Sequence, residues 1–190
     1  MTFLNYLISG ISLGSVYAII ALGYTMVYGI AKMLNFAHGD VIMVGAYICF
    51  FSLSGLRKAL AVSAETSPAL QALIVLAGIL AAVVVCTVLG IVVERLAYKP
   101  LRSAPSLAVL ITAIGVSYFL QNAAQLLWSP NPVVFSSIVG TGRITLFGGQ
   151  FAIPYLTIVT IVTCVVIMVA LTLFVNHSKM GKAMRACSED

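Results

Sequence analysis

Charged residues are scarce in this chain. Ten Lys and Arg and five Asp and Glu make up 8% of its 190 residues, whereas 62% of the residues are hydrophobic. A soluble domain typically carries about 25% charged residues, so this composition excludes an ordinary soluble globular protein. The mean hydropathy of +1.13 is typical of an integral membrane protein.

Metal-binding and catalytic patterns are also missing. The four cysteines are far apart and form no C-x-x-C pair, so they are interpreted as small packing residues. The two histidines have no cysteine or carboxylate cluster beside them, which argues against a metal site. We therefore expect no catalytic residue, no metal and no cofactor bound by this chain itself, and no nucleic-acid partner.

Long apolar runs dominate the sequence. Five of them cover residues 3–31, 41–56, 68–93, 107–128 and 153–175. A helix needs about 20 apolar residues to cross a bilayer, so four of the runs qualify directly. The second run qualifies only if residues 36–39 begin the same helix, and it is otherwise a short or re-entrant segment. The prediction is an all-α membrane protein of about five spans, with its transmembrane domain at residues 1–176.

The first run is expected to remain in the mature protein. No basic segment precedes it, and it is longer than the apolar region of a cleaved signal peptide. Its aromatic residues suit a permanent span.

Basic residues predict the orientation, because Lys and Arg are enriched in cytoplasmic connections. Two segments carry three each, namely Arg95, Lys99 and Arg102, and Lys179, Lys182 and Arg185. With both segments inside, the amino terminus lies outside and the carboxyl end lies in the cytoplasm. Arg57 and Lys58 then lie on the outer side, against the rule. Pro130, Pro132, Gly148 and Gly149 mark the connection before the fifth run as turn and loop.

Two runs carry stripes of small residues, as helix packing in membranes requires. The first run has one stripe at helical spacing, comprising Gly10, Gly14, Tyr17, Ala21, Tyr24 and Tyr28. This stripe is either a packing seam or one wall of a translocation route, for which Tyr17, Tyr24 and Tyr28 are the candidates. In the third run, the corresponding residues are interpreted as packing residues, namely Gly78, Ala82, Cys86 and Gly90.

The fourth run has a polar face. Tyr118, Asn122 and Gln125 lie with Gly115 within about 80° on a helical wheel, and Gln121 lies beside them. Because amides are costly against lipid, they must face protein or water. The face therefore either makes hydrogen bonds between helices or lines a route for a solute.

The segment LNFAHGD places a polar cluster at the predicted inner boundary, consisting of Asn35, His38 and Asp40. Asn35 is expected to cap the first amides of the second helix. Asp40 is expected in the first turns of that helix, near the positive end of its dipole.

Residues 177–190 predict a short amphipathic helix on the cytoplasmic side. Met180, Ala183, Met184 and Cys187 share an apolar face, while the basic residues lie mostly elsewhere. Such a helix can lie on anionic lipid or dock into a groove of a soluble partner.

The chain resembles the permeases of bacterial branched-chain amino-acid ABC importers of the LivH type. Four stretches carry the resemblance, which are GISLGSVYAIIALGYTMVYGIAKMLNFAHGDVIMVGAY, ERLAYKPLRS, ITAIGVSYFLQN and SKMGKAMRACSED. The resemblance implies a second homologous permease, two cytosolic ABC ATPases that use the ATP, a periplasmic binding protein, and alternating access in the bacterial inner membrane. It also implies that the tail begins the coupling helix, with Gly181, Lys182, Arg185, Ala186, Glu189 and Asp190 at the ATPase.

Two alternatives stay open at this point. Permeases for urea and other small amides share these motifs, and a membrane-embedded accessory protein without transport activity also fits. Family members continue beyond this motif with further spans, so the chain is interpreted as truncated after the start of the coupling helix. We expect that it does not transport on its own.

Overall fold

The computed structural model describes residues 2–31, 35–60, 67–101, 104–133, 143–146 and 151–189. Five of its helices are long and apolar enough to cross a membrane. They are α1 (Thr2–Ala31), α2 (His38–Ala59), α3 (Pro68–Val93), α4 (Ser106–Trp128) and α5 (Tyr155–His177), and a shorter helix, α6 (Lys179–Glu189), follows. The predicted all-α membrane fold is confirmed.

The second apolar run forms a full-length helix. Within the LNFAHGD segment the chain turns at Phe36 and Ala37, and α2 begins at His38. Its 22 residues correspond to about 33 Å, enough to cross the hydrocarbon core. The apolar run alone is too short to span the membrane, and the helix reaches full length because it begins earlier, at the polar residues His38 and Asp40.

The ends of the other helices follow their local sequence. α3 begins at Pro68, a residue suited to the first helical position. It continues through a π-helical turn (Glu94–Tyr98) and a 3₁₀ turn (Lys99–Leu101). α4 ends at Trp128, where Ser129 has a positive φ of 72° and precedes Pro130.

A short hairpin precedes α5. Strand β1 (Arg143–Leu146) pairs antiparallel with β2 (Phe151–Pro154), and Arg143 lies opposite Pro154. The predicted loop between α4 and α5 thus contains a small sheet. Gly148 and Gly149, which marked a turn in the sequence, lie outside the described residues.

The chain divides into two compact units. Unit 1 consists of Met1–Met33 and Val139–Asp190 and contains α1, the hairpin, α5 and α6. Unit 2 consists of Leu34–Ile138 and contains α2, α3 and α4.

In unit 2, α2 packs closely against α3 through small residues. A Cβ added to Gly45 would lie 2.8 Å from Cys86 Sγ, and one added to Gly78 would lie 3.0 Å from Leu53 Cγ. The packing role predicted for Gly78 and Cys86 is therefore confirmed. For Gly90 packing stays a prediction, because no described atom outside its own helix backbone lies within 4 Å of a Cβ built there.

In unit 1, α1 packs against α5 and leaves a cavity of about 260 Å³ between them. Gly14 and Ala18 line it from α1, and Cys164 and Met168 line it from α5. Hydroxyl groups on these helices donate to carbonyl oxygens of their own helix: Ser15 to Ile11 at 2.6 Å and Thr172 to Met168 at 2.8 Å. Such local bonds satisfy the polar groups without linking one helix to another.

Candidate functional site

The start of α2 is shaped by Asn35. Its side-chain oxygen accepts a hydrogen bond from the Ala37 amide at 3.1 Å, and its backbone oxygen accepts one from the His38 amide at 3.2 Å. These bonds form a turn typical of asparagine. Asn35 therefore stabilises the turn that leads into α2. The prediction that it caps the first amides of the helix is wrong, because its side chain accepts from the amide of Ala37, the residue before the helix.

The Asn35 side chain also contacts the end of α3. The Tyr98 hydroxyl group donates to Asn35 Oδ1 at 2.8 Å. Tyr98 is the last residue of the π-helical turn. Turns of this kind occur frequently at functional positions, where they redirect side chains. Here, the turn places a phenol where it holds the segment entering α2.

Asp40 lies in the first turn of α2, as predicted, and its side chain bonds to residues of α4. It is 8% exposed. Ser117 Oγ donates to Asp40 Oδ2, and Gln121 Nε2 donates to Asp40 Oδ1 at 3.0 Å. Gln121 also donates to Ser117 Oγ at 3.2 Å. We call these three residues the Asp40 cluster.

The Asp40 cluster joins the beginning of α2 to the middle of α4. Ser117 lies three turns into α4, about 16 Å from its first residue. Ser117 and Gln121 are four residues apart and thus project from the same face. A buried carboxyl group needs hydrogen-bond partners, and these two neutral donors supply them.

An aromatic contact forms a second link between α2 and α4. The rings of Tyr47 and Trp128 stack with their centroids 4.7 Å apart and an interplanar angle of 17°. Phe51 lies beside both rings. A cavity of about 160 Å³ adjoins this stack, lined by Met43, Phe50 and Val133 among others.

The predicted route residues of α4 lie on a different face from the Asp40 cluster. Tyr118, Asn122 and Gln125 are all exposed, and Tyr118 is 63% exposed. Asn122 Nδ2 donates to the Tyr118 backbone oxygen at 2.7 Å, within its own helix. We call these three residues the α4 stripe. Its exposure leaves the route interpretation open and favours it over hydrogen bonding to α2.

The predicted route residues of α1 belong to unit 1. Tyr17 and Tyr28 are exposed, whereas Tyr24 is half-buried. No described atom lies within 4 Å of a Cβ built on Gly10 or Gly14 of the same stripe. Within unit 1, the stripe is therefore partly exposed, although Gly14 adjoins the cavity between α1 and α5, and both predicted roles stay open.

The predicted coupling residues lie on or next to α6. Ser178 Oγ accepts from the Gly181 amide at 2.9 Å, which makes Ser178 the N-cap of α6. Gly181 is buried against the Val175 backbone, while Lys182 and Ala186 are exposed. The side chains of Arg185 and Glu189 and all of Asp190 lie outside the described residues.

The described part of the apolar face of α6 is largely exposed. Met180 is 62% exposed, Ala183 is exposed, and Met184 is half-buried. The helix contacts α1 and α5 mainly through another side, where Gly181 permits a close approach. The predicted amphipathic helix is thus present, with a free surface of mixed apolar and basic character.

Known proteins match almost the whole chain. The family model of the branched-chain amino acid transport system permease component matches residues 6–190. The chain belongs to this permease family. Its permease-family relatives include the high-affinity branched-chain amino acid transport system permease proteins LivH of Salmonella typhimurium and LivH of Escherichia coli K12, each 40% identical over 190 residues. BraD of Pseudomonas aeruginosa, named as the same kind of permease protein, is 40% identical over 192 residues.

The alignments cover the relatives only in part. They include 99% of this chain but 59% of each LivH protein and 60% of BraD. No solved structure matches the chain. The permease-family assignment therefore rests on the family model and these relatives, and it agrees with the five apolar helices.

Sequence reasoning missed the roles of Ser117 and Gln121. It placed Gln121 beside the polar face of α4 and did not consider Ser117. A signal was present, because an aspartate inside a membrane span requires donors and these two residues form an i, i+4 pair. The sequence does not indicate which helix supplies the donors. The packing of α4 against α2 in the structure identifies α4 as that helix.

Proposed function

We propose that this chain is a transmembrane permease subunit of an ABC importer for branched-chain amino acids. The observation that carries the proposal is 40% identity across 99% of the chain to permeases named for that substrate class. The partners are a second homologous permease, two cytosolic ABC ATPases and a periplasmic binding protein. The permease pair forms the route, and ATP is bound and used by the ATPases.

The proposed contact with the ATPases is α6. A coupling element needs a surface that a soluble partner can bind and a firm attachment to the spans. The exposed Met180, Ala183 and Lys182 provide the surface. The Ser178 cap and the close approach of Gly181 to Val175 provide the attachment. Movement of the ATPase is thereby transmitted to α5 and α1.

The proposed orientation has the carboxyl end in the cytoplasm of a bacterial cell and the amino terminus outside the inner membrane. Arg95 and Lys99 at the end of α3 and the basic residues of α6 support it, since positive charge is enriched inside. A reporter that is active only in the periplasm, fused after residue 190, is expected to remain inactive. A strong signal from that fusion would contradict the orientation and the coupling role together.

The candidates for the proposed route are polar and aromatic residues of each unit, all exposed except the half-buried Tyr24. The α4 stripe offers two amides and a phenol, which an aliphatic membrane environment does not satisfy. Tyr17, Tyr24 and Tyr28 of α1 are the further candidates. These groups can interact with the polar backbone of an amino acid, while selection of its side chain is assigned mainly to the binding protein.

The coupling role is tested by binding to the ATPases. The chain is co-expressed with the ATPase pair of a LivH importer, and the ATPase retained on purified chain is measured for the parent, Lys182→Glu and Lys58→Glu. Both lysines are exposed, but Lys182 lies in α6 and Lys58 lies in the last turn of α2. We expect Lys182→Glu to lower retention about tenfold and Lys58→Glu to leave it unchanged. Equal retention by all three would count against α6 as the contact.

The substrate is tested in a chimera in which this chain replaces the matched part of a full-length LivH relative. Uptake of labelled leucine is measured with excess unlabelled isoleucine or urea. We expect isoleucine to compete and urea to have no effect. The opposite result would assign the permease to small amides.

A further inference from the structure

Asp40 is an unusual group for its location. It lies within the candidate span His38–Ala59 and is almost completely buried. Ionisable residues inside membrane spans are costly and therefore tend to have a function. The neutral donors Ser117 and Gln121 satisfy its carboxyl group from another helix. Both partners of Asp40 lie on α4, so the expected role of Asp40 is an effect of these bonds on the position of α4.

The two neighbours of α2 are held in different ways. Against α3, α2 packs closely at small residues along its length, at Gly45 with Cys86 and at Leu53 with Gly78, and the Cys86 thiol makes one weak hydrogen bond to the Val41 backbone oxygen at 3.5 Å. Apolar packing of this kind sets the distance between helices, but it is weakly directional in a lipid-like environment. Against α4, α2 uses the stack of Tyr47 on Trp128 and the Asp40 cluster, and the hydrogen bonds of the cluster are the contacts that require a particular direction.

Those bonds determine which side of α4 faces α2. At 100° per residue, Ser117 and Gln121 lie within about 40° of each other around the helix. The α4 stripe is centred about a quarter turn away. Ala113 and Ala124, on the side of the cluster, are almost completely buried, whereas the stripe residues are exposed. Rotation of α4 by a quarter turn toward α2 would bring the stripe to the side that the cluster now occupies and would turn Ser117 and Gln121 away from Asp40.

We propose that Asp40 is a positioning residue that sets the rotation of α4 about its axis, and so directs the α4 stripe toward the translocation route. The role of the stripe in a route rests on the function proposed above, whereas the control of α4 rotation by Asp40 does not. Asp40 itself has no contact with the solute in this proposal. It acts through Ser117 and Gln121, and its loss lets α4 turn while α2 and α3 remain packed.

The test measures which side of α4 reacts with a water-soluble maleimide in the full chain in lipid nanodiscs. The native cysteines are replaced by serine or alanine, and single cysteines are introduced by Asn122→Cys or Ala124→Cys. With Asp40 present, we expect position 122 to react and position 124 to be protected. With Asp40→Leu, we expect the ratio of their reaction rates to fall about tenfold, which corresponds to about 1.4 kcal/mol.

Two further variants separate rotation from general damage. Asp40→Asn combined with Gln121→Glu moves the carboxyl group to α4 and retains the hydrogen-bonded pair, so it should restore the parental ratio. Thr112→Val removes a hydroxyl group that bonds only to Ala108 of its own helix at 2.9 Å and should leave the ratio unchanged. Ser117→Ala provides a milder lesion if Asp40→Leu does not fold.

The outcomes are distinct. A reaction-rate ratio that is the same with and without Asp40, or that falls equally in Thr112→Val, overturns the positioning role. An unreactive cysteine at position 122 in the parental background overturns the claim that the stripe faces a polar route. A reaction-rate ratio that depends on Asp40 supports control of the rotation, whichever substrate the uptake experiment assigns. The uptake experiment alone tests the proposed function, so the two proposals can fail independently.

Discussion

Two sets of polar side chains, one in each unit of this protein, are satisfied in different ways. In unit 1, Ser15, Thr25, Thr160 and Thr172 donate to carbonyl oxygens of their own helices. In unit 2, Asp40, Ser117 and Gln121 bridge α2 and α4, and Tyr98 reaches Asn35 from the end of α3. Local bonds make a helix compatible with lipid, whereas bridging bonds also specify which neighbour it has and how it is turned.

This difference leads to an expectation about sensitivity to substitution. Removing a bridging group in unit 2 should weaken the association of helices, while removing a local hydroxyl in unit 1 should have little effect. Unit 1 should instead be sensitive where backbones approach closely. The following predictions examine these expectations from the largest effect to the smallest.

Gly181→Ala should have the largest effect, because the added Cβ would overlap with the backbone of Val175. Backbone atoms cannot move aside as a side-chain tip can, so α6 must shift. We expect a loss of about 3 kcal/mol in the free energy of unfolding, measured by detergent-induced unfolding in mixed micelles, together with loss of ATPase retention. Gly90→Ala, at a glycine with open space around it, is the matched control. Similar stability of the two variants would contradict the close approach.

Asp40→Ala should follow, because it leaves the Ser117 and Gln121 donors without their acceptor. We expect a loss of about 2 kcal/mol in the free energy of unfolding by the same measurement. Thr112→Val on α4 is the control and should change it by less than about 0.5 kcal/mol. If both variants lose the same amount, bridging and local bonds are equivalent and the comparison between the units fails.

Gly45→Ala tests the small-residue contact between α2 and α3. The new Cβ would lie 2.8 Å from Cys86 Sγ, so the cysteine must move. We expect a loss of about 1.5 kcal/mol in the free energy of unfolding. Combining it with Cys86→Ala should recover most of the loss, because the sulfur is then absent. A double variant no more stable than Gly45→Ala would show that the sulfur is not the obstacle.

Tyr98→Phe removes one hydroxyl group and retains the ring. Its bond to Asn35 Oδ1 would be lost, although the Ala37 amide still donates to that oxygen. We expect a loss of about 1 kcal/mol in the free energy of unfolding. Tyr17→Phe, at an exposed tyrosine of α1, provides the comparison and should be neutral. A larger loss of stability in Tyr17→Phe than in Tyr98→Phe would contradict the role assigned to the π-helical turn.

Ser15→Ala should have the smallest effect, although it lies beside the cavity between α1 and α5. Its hydroxyl group donates only to the Ile11 oxygen, which also belongs to the helix backbone. We expect a change below about 0.5 kcal/mol in the free energy of unfolding. A larger loss would show that this hydroxyl contributes to packing between α1 and α5.

The sequence predicted much of the fold and part of the candidate site. Apolar length predicted four spans and a fifth on condition that residues 36–39 begin the second helix, and the spacing of Met180, Ala183 and Met184 predicted α6. Asp40 was correctly expected in the first turn of α2. Its partners were not predicted, since Ser117 and Gln121 lie more than seventy positions away along the chain. Gly90 and Gly78 show the same limit, because both belong to one small-residue stripe but only Gly78 meets a neighbouring side chain.

Composition by itself determined that this protein crosses the membrane, because backbone groups in lipid must be satisfied within helices and long apolar runs permit no other common solution. Local patterns determined where the helices start and stop. Only the tertiary structure decided which polar residues face each other and which remain exposed on α4. That choice depends on the rotation of each helix against its neighbours, and helical periodicity groups residues on a face without specifying what the face meets.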